Sequence, residues 1–188
     1  KKIRITDGQF YDHNPVFDPE GKYLFFISQR NFQNVFSDFE ISMNYNRSGG
    51  IFGLALATNT PSLFAPLTDE VKIKTNSNDS TNTNSTIKSN NAVPTNTEII
   101  ITTNELAHRI FKIPVPNGYY YALQAKKDKI FFIRANDPFD AEENPLPGGT
   151  LHTYDFKKKE IQTISAGIEN YKLTTDGSKM LYKSGSIF

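Results

Sequence analysis

Asp18-Pro19-Glu20-Gly21-Lys22-Tyr23-Leu24-Phe25-Phe26-Ile27 is the stretch that decides the fold. A polar turn holding Asp, Pro and Gly runs straight into aromatic and branched side chains, the chemistry of a tight turn feeding a packed strand. The cue recurs. Lys126-Lys127-Asp128-Lys129 leads into Ile130-Phe131-Phe132-Ile133, and Thr175-Asp176-Gly177-Ser178-Lys179 leads into Met180-Leu181-Tyr182. A glycine cue then follows each strand: Gly49-Gly50 before Ile51 to Leu56, Gly148-Gly149 before Thr150 to Phe156, and Gly185-Ser186 before Ile187-Phe188. Each unit therefore reads as strand, turn, strand, loop, strand.

When Leu24, Ile130 and Met180 are aligned, 106 residues separate the first two and 50 the last two. The shorter interval suits a four-stranded propeller blade of about 40–50 residues. The longer one is explained by two insertions, Asn31 to Ser48 and Ile73 to Glu98, which leave 62 residues. The expected fold is all-β, a partial β-propeller of about two and a half four-stranded antiparallel blades, with residues 1–188 forming part of one propeller domain. A helical fold is not expected. Apolar residues nowhere hold a 3.6-residue period for long, and Asn104 to Arg109 is the one short helical candidate. The chain starts without Met and stops within an apolar pattern at Ile187-Phe188, so a segment of a longer protein is expected.

Lys74 to Asn96 is almost entirely Asn, Thr, Ser and Lys, too polar to offset its ordering entropy by burial, so a mobile excursion is expected there. Asn46-Arg47-Ser48, Asn78-Asp79-Ser80 and Asn84-Ser85-Thr86 match the N-glycosylation pattern, but so Asn/Thr/Ser-rich a tract produces such triplets by chance.

Composition narrows the function. Lys plus Arg number 21 against 20 Asp plus Glu, without the basic excess of a nucleic-acid binder. No apolar run approaches the roughly 20 residues of a membrane helix. The absence of Cys, with His only at 13, 108 and 152, excludes thiol nucleophiles, disulfides and the usual zinc clusters, and fits a reducing compartment.

Several groups invite a chemical reading. Ser28, His13 and Asp12 could be written as a triad, but no nucleophile elbow accompanies them, and structural roles are expected. Asp137, Asp140, Glu142 and Glu143 offer the carboxylates that Ca²⁺ favours, yet their spacing matches no calcium loop and a solvated acidic loop is expected. His152, in an alternating strand, is expected to pack, and His108-Arg109 to be solvent-facing. Phe32, Phe36, Phe39 and Tyr45 in the first insertion could meet a passing peptide, although capping of a propeller face is the better expectation. Tyr119 and Tyr121 should share one face of a strand, with Tyr120 on the other and blade packing absorbing both. No catalytic, cofactor-binding or metal-binding residue is assigned.

Thr6-Asp7-Gly8 through Asn14-Pro15-Val16-Phe17-Asp18-Pro19-Glu20-Gly21-Lys22-Tyr23-Leu24 resembles a blade of the repeats shared by tricorn peptidases and TolB-type proteins. Ser28-Gln29-Arg30-Asn31-Phe32, Ser37-Asp38-Phe39-Glu40 and Pro61-Ser62-Leu63-Phe64-Ala65-Pro66 are similar to the second propeller of tricorn-type serine peptidases. Ala107-His108-Arg109-Ile110, Pro114-Val115-Pro116 and Gly148-Gly149-Thr150-Leu151 continue the same order. Family inserts at 73–98 tend to be charged, whereas this one is Asn/Thr-rich.

The resemblance implies a cytoplasmic, homo-oligomeric parent whose propellers precede a PDZ-like domain and a serine-peptidase core. Those propellers channel peptides to the active site or release products. It carries no catalytic residue onto this chain, because the nucleophile lies in the core, and it implies no cofactor. The expected partners are the remaining blades, the core, and peptides in transit. Two other readings stay open: a stand-alone TolB-like propeller that recruits proteins, and a structural fragment with no separable activity.

Overall fold

A computed structural model describes residues 2–31, 34–36, 43–45, 47–64, 99–136 and 148–187. The insertion 73–98, Asn46, Asn78, Asn84, Phe32, Phe39, and the acidic group Asp137, Asp140, Glu142 and Glu143 lie outside the described residues.

The first sheet is a meander of β1 (Asp12–Phe17), β2 (Tyr23–Ser28), β5 (Gly50–Ala55) and β6 (Ile110–Lys112), in that spatial order. A separate hairpin of β3 (Asn34–Phe36) and β4 (Met43–Tyr45), carrying Phe36 and Tyr45, lies in the first insertion. A 3₁₀ turn, Leu106–Arg109, precedes β6 where the short helical candidate was read. The second sheet repeats the meander with β7 (Tyr120–Lys126), β8 (Lys129–Ala135), β9 (Gly149–Asp155) and β10 (Glu160–Ile168). A third begins with β11 (Asn170–Leu173) and β12 (Met180–Lys183). Two antiparallel blades and the opening hairpin of another are the architecture expected from the repeat.

Local chemistry closes the hairpins. The Asp18 carboxylate accepts the N–H groups of Glu20, Lys22 and Tyr23 at 3.0, 2.7 and 2.6 Å, and Gly21 takes φ +67°. An added Cβ there would be strained and would sit 2.7 Å from Ile99. Asp176 does the same job in the third hairpin. Hydrogen bonds from Thr174 and Ser178 hold its carboxyl down at about 2.

Register makes the repeat three-dimensional. Leu24 pairs with Phe17, Ile130 with Ala125, and Met180 with Leu173, each near the end of the preceding inner strand. Because side chains alternate, Phe25, Phe131 and Leu181 occupy the next position and point to the opposite face. Phe25 is 2% exposed, in a cluster built by both complete blades with Tyr23, Ile27, Tyr120, Ile130, Phe132, Tyr154 and Phe156. Phe131 packs against the cluster shared with the third sheet, which contains Ile133, Leu151, Ile168 and Tyr171. Leu181 is 60% exposed.

A partial propeller whose ring cannot close is expected to leave such residues on two unpartnered terminal faces. The structure corrects that for Phe25 and Phe131, which a following sheet covers, while no sheet among the described residues covers Leu181. Much of the outward face of the first blade is covered as well, although Phe17, the partner of Leu24, is 50% exposed. Leu24, Phe26, Phe52 and Leu54 are buried there with Leu106, while Arg30 lies over the rings of Phe10, Phe26 and Phe52 at 5.1, 5.4 and 5.0 Å.

The inner strands converge. β1 and β2 both lie against β7, and the contact is fixed by an amide clasp: Asn14 Nδ2 donates to the Leu123 carbonyl at 3.4 Å, and the Leu123 N–H donates to Asn14 Oδ1 at 3.1 Å. One blade further on, Gln124 Nε2 donates to the Tyr171 carbonyl at 3.0 Å and Gln124 Oε1 accepts the Leu173 N–H at 3.4 Å. Both clasps adjoin a bulge in the inner strand, with Asn14 and Ala122 at φ +52° and +53°. Gln124→Ala should therefore destabilise the third sheet by about 1 kcal/mol, by stripping a carbonyl and an N–H of their partner. Hydrogen exchange reads this directly: the Leu173 amide should exchange faster than in the parent sequence, and unchanged protection would show that the clasp contributes nothing.

Candidate functional site

Two places between the first two blades have the geometry of a site. The first is a cleft of about 150 Å³ at the hairpin-turn end, floored by Tyr23, Phe25 and Phe156. Phe25 stacks on Phe156 with centroids 5.3 Å apart, and the Tyr23 hydroxyl donates to the Pro61 carbonyl. The charges on its rim are already engaged. Asp18 caps its turn, Lys22 and Lys127 reach Glu20 at 2.6 and 3.8 Å, Lys157 reaches Asp128 at 2.6 Å, and Lys126 donates to the Thr175 carbonyl at 3.1 Å. This cleft is a joint between blades. Exposed pairs of this kind are screened by solvent and add little to stability.

The second place is the opposite end of the inner strands. Tyr11 immediately precedes β1 and its carbonyl accepts the N–H of Gln29, the residue after β2, at 3.2 Å. Tyr119 immediately precedes β7 and its carbonyl accepts the N–H of Ala135 at 2.8 Å. Gln29 follows Ser28, the partner of Asp12, and Ala135 follows Arg134, the partner of Tyr120. The two tyrosines thus occupy one register position in successive blades. They are 64% and 37% exposed.

Ser28, His13 and Asp12 are neighbours but do not form a relay. Asp12 receives two hydrogen bonds from Arg30 Nη2, at 3.0 and 3.1 Å, and the fully buried Ser28 hydroxyl accepts Arg30 Nε at 2.8 Å. His13 Nδ1 makes no hydrogen bond among the described residues, and its ring packs against Tyr11 at 4.8 Å. Burial alone would raise the Asp12 carboxyl, but hydrogen bonds from Ser28, Arg30 and Thr6 outweigh it and hold the group below the usual aspartate range. A depressed carboxyl stabilises the fold above its unfolded pKa of about 3.9, and that contribution disappears as pH falls through the lower folded value. Asp12→Asn should accordingly be less stable than the parent sequence at pH 7, with the gap closing below about pH 4. Urea melts across pH 2–7 provide the check; a gap that persists unchanged to pH 2 would remove Asp12 from the account.

The other candidates take structural positions. His152 stacks on Phe132 at 5.7 Å and meets the Thr163 hydroxyl at 3.2 Å. His108 is exposed, whereas Arg109 departs from the expectation of a solvent-facing pair. Its guanidinium donates to the carbonyls of Leu56, Thr102 and Asn104, tying the 3₁₀ turn to the end of β5. The Tyr119–Tyr121 run is absorbed only in part. Tyr120 is buried, and burial pushes its phenol up to about 12; Tyr121 reaches the Ile168 carbonyl at 3.2 Å; Tyr119 stays exposed. Among the described residues, no three His, Asp or Glu side chains converge as a metal site would require. Sequence reading missed Tyr11 and the two clasps. Aligning the residues before β1 and β7 would have found Tyr11, while no compositional signal marks Asn14 or Gln124.

A family model described as the tricorn protease second beta propeller domain matches residues 1–188. The chain belongs to that family. Tricorn protease homolog 1 of Streptomyces coelicolor is 29% identical over 184 residues, covering 94% of this chain and 16% of the relative. The putative tricorn-like protease C-terminal subunit of Sulfurisphaera tokodaii is 25% identical over 183 residues, covering 96% and 18%. The crystal structure of the tricorn protease superposes with a TM-score of 0.64 at 18% identity, covering 98% of this chain and 16% of that one, which establishes the shared fold. This second-propeller chain thus spans less than a fifth of the length of these relatives. No helix among the described residues is long and apolar enough to cross a membrane.

Proposed function

We propose that this chain is a non-catalytic propeller segment of a tricorn-like serine peptidase, channelling peptide substrates or products in a cytoplasmic, homo-oligomeric parent. The family match along residues 1–188 carries the reading. The clasped inner strands support it, because edges that converge from blade to blade line an axis down which an unfolded chain can pass. In this reading residues 1–188, with the insertion at 73–98, are one part of a propeller. The remaining blades and a catalytic core are its covalent partners, and no cofactor or metal is needed.

Among the described residues, none is set up as a nucleophile. Ser28 is fully buried and bonded to Arg30, and His13 makes no hydrogen bond to it. Purified as 188 residues, the segment should hydrolyse no fluorogenic peptide, while the parent chain carrying it should do so and be stopped by a serine-directed inhibitor. Turnover by the segment that vanishes in Ser28→Ala would overturn the non-catalytic assignment. Recruitment of a folded protein by a closed propeller, with no peptide hydrolysis by the parent, would favour the TolB-like binding module instead.

A further inference from the structure

The exposed tyrosines at the ends of the inner strands go beyond an unspecified channel. We infer that Tyr11 and Tyr119 form part of an aromatic collar at one mouth of the propeller axis, which grips extended peptides through their bulky apolar side chains. The inference rests on the channelling reading and names what the channel would prefer.

Equivalence by register is the first support. Both residues sit one position before an inner strand, and in both the backbone carbonyl is held by the residue that follows or ends the neighbouring strand. Their backbones are therefore fixed alike in two blades that the Asn14–Leu123 clasp holds side by side. Exposure is the second. Tyr120, one residue after Tyr119, is buried in the inter-blade cluster, so the fold has room for an aromatic ring nearby, yet Tyr11 stays mostly in solvent and Tyr119 keeps more than a third of its surface there.

The chemistry then selects the occupant. Tyrosine gives a large apolar contact at the cost of only two side-chain torsions, and its hydroxyl tolerates water when the site is empty. Rings repeated from blade to blade present similar surfaces around an axis rather than one flat patch. A folded partner would need a continuous complementary face. An extended peptide needs only side chains that recur along its length, which it can offer in any register. Neither tyrosine carries a charge, so selection falls on apolar bulk.

The test uses the full parent chain with a serine-directed inhibitor present, and the binding of two fluorescein-labelled twelve-residue peptides followed by anisotropy. One alternates Phe or Leu with Ser, and the other contains only Gly and Ser. Tyr11→Ser/Tyr119→Ser should weaken binding of the apolar peptide about tenfold, the loss expected for two aromatic contacts. Tyr11→Phe/Tyr119→Phe should stay within about twofold, since the rings remain. The Gly/Ser peptide should bind more weakly and be indifferent to either change. Unchanged affinity of the apolar peptide for the double Ser variant, or an equal loss for both peptides, overturns the collar. So does a change in the sedimentation coefficient of the parent, which would place the tyrosines in an interface between copies or domains. Failure of the channelling reading looks different: the uninhibited parent would cleave no peptide although the apolar peptide still bound.

Discussion

Phe25→Ala should cost about 3–5 kcal/mol, the range for deleting a buried aromatic side chain. Against a typical domain stability of about 5–15 kcal/mol, that loss brings the segment close to unfolding. The size follows from where the ring sits. Phe25 is 2% exposed, stacks on Phe156 of the second blade at 5.3 Å, and lies 6.0 Å from Tyr23, so its removal opens a hole in the joint between two sheets rather than within one. Neither sheet can close the gap alone, because the Asn14–Leu123 clasp fixes how closely the inner strands approach. Phe17→Ala is the control, since its ring is 50% exposed and should cost within about 0.5 kcal/mol. Urea titration followed by tyrosine fluorescence gives both values. A loss below about 1 kcal/mol for Phe25→Ala would mean that the blades do not pack through this cluster.

The same residue shows what a sequence can and cannot disclose. That Tyr23 to Ile27 is a strand after a tight turn was legible, because Asp18, Gly21 and the aromatic run each encode local geometry. The alignment of Leu24, Ile130 and Met180 was legible for the same reason: turn chemistry fixes register, and register is local. Which face of a blade is covered was not. Phe25, Phe131 and Leu181 look alike in the sequence, and their burial depends on which sheet comes next in space. Arg30 was equally opaque. Only the fold brings Asp12, Ser28 and three aromatic rings around one guanidinium and so covers the outward rings of the first blade. The candidate site lay further still from view. Tyr11 and Tyr119 are 108 positions apart, and their likeness appears only once two hairpins are set in register.

The isolated 188-residue chain should associate with itself, and through one face. Propellers bury both faces of each blade against neighbours and leave only short protected edges. Here Arg30 and Leu106 of the 3₁₀ turn cover most of the first blade's outward rings and leave Phe17 and Ile5 50% and 37% exposed at their rim, so that side is less available than the third sheet. The third sheet ends differently. Leu181 is 60% exposed on the face turned away from the second blade, Ile187 just after β12 is 73% exposed, and β12 has no strand beyond it among the described residues. An apolar face beside an unpaired edge drives association. With one such face per molecule, two copies can satisfy each other and close, so the expected product is a dimer rather than an open polymer. Two sticky ends, by contrast, would propagate into filaments or precipitate. Light scattering across a concentration series separates these outcomes. A mass rising to twice that of the chain and stopping there is expected, and Leu181→Lys should return it to one, since a charge on the contact must either stay solvated or be buried unpaired. A parent chain carrying all its blades should lack this Leu181-dependent step, because in the propeller reading a further blade covers that face. A monomer at every concentration would contradict the uncovered third sheet, and growth without limit would show that the outward face of the first blade is open after all.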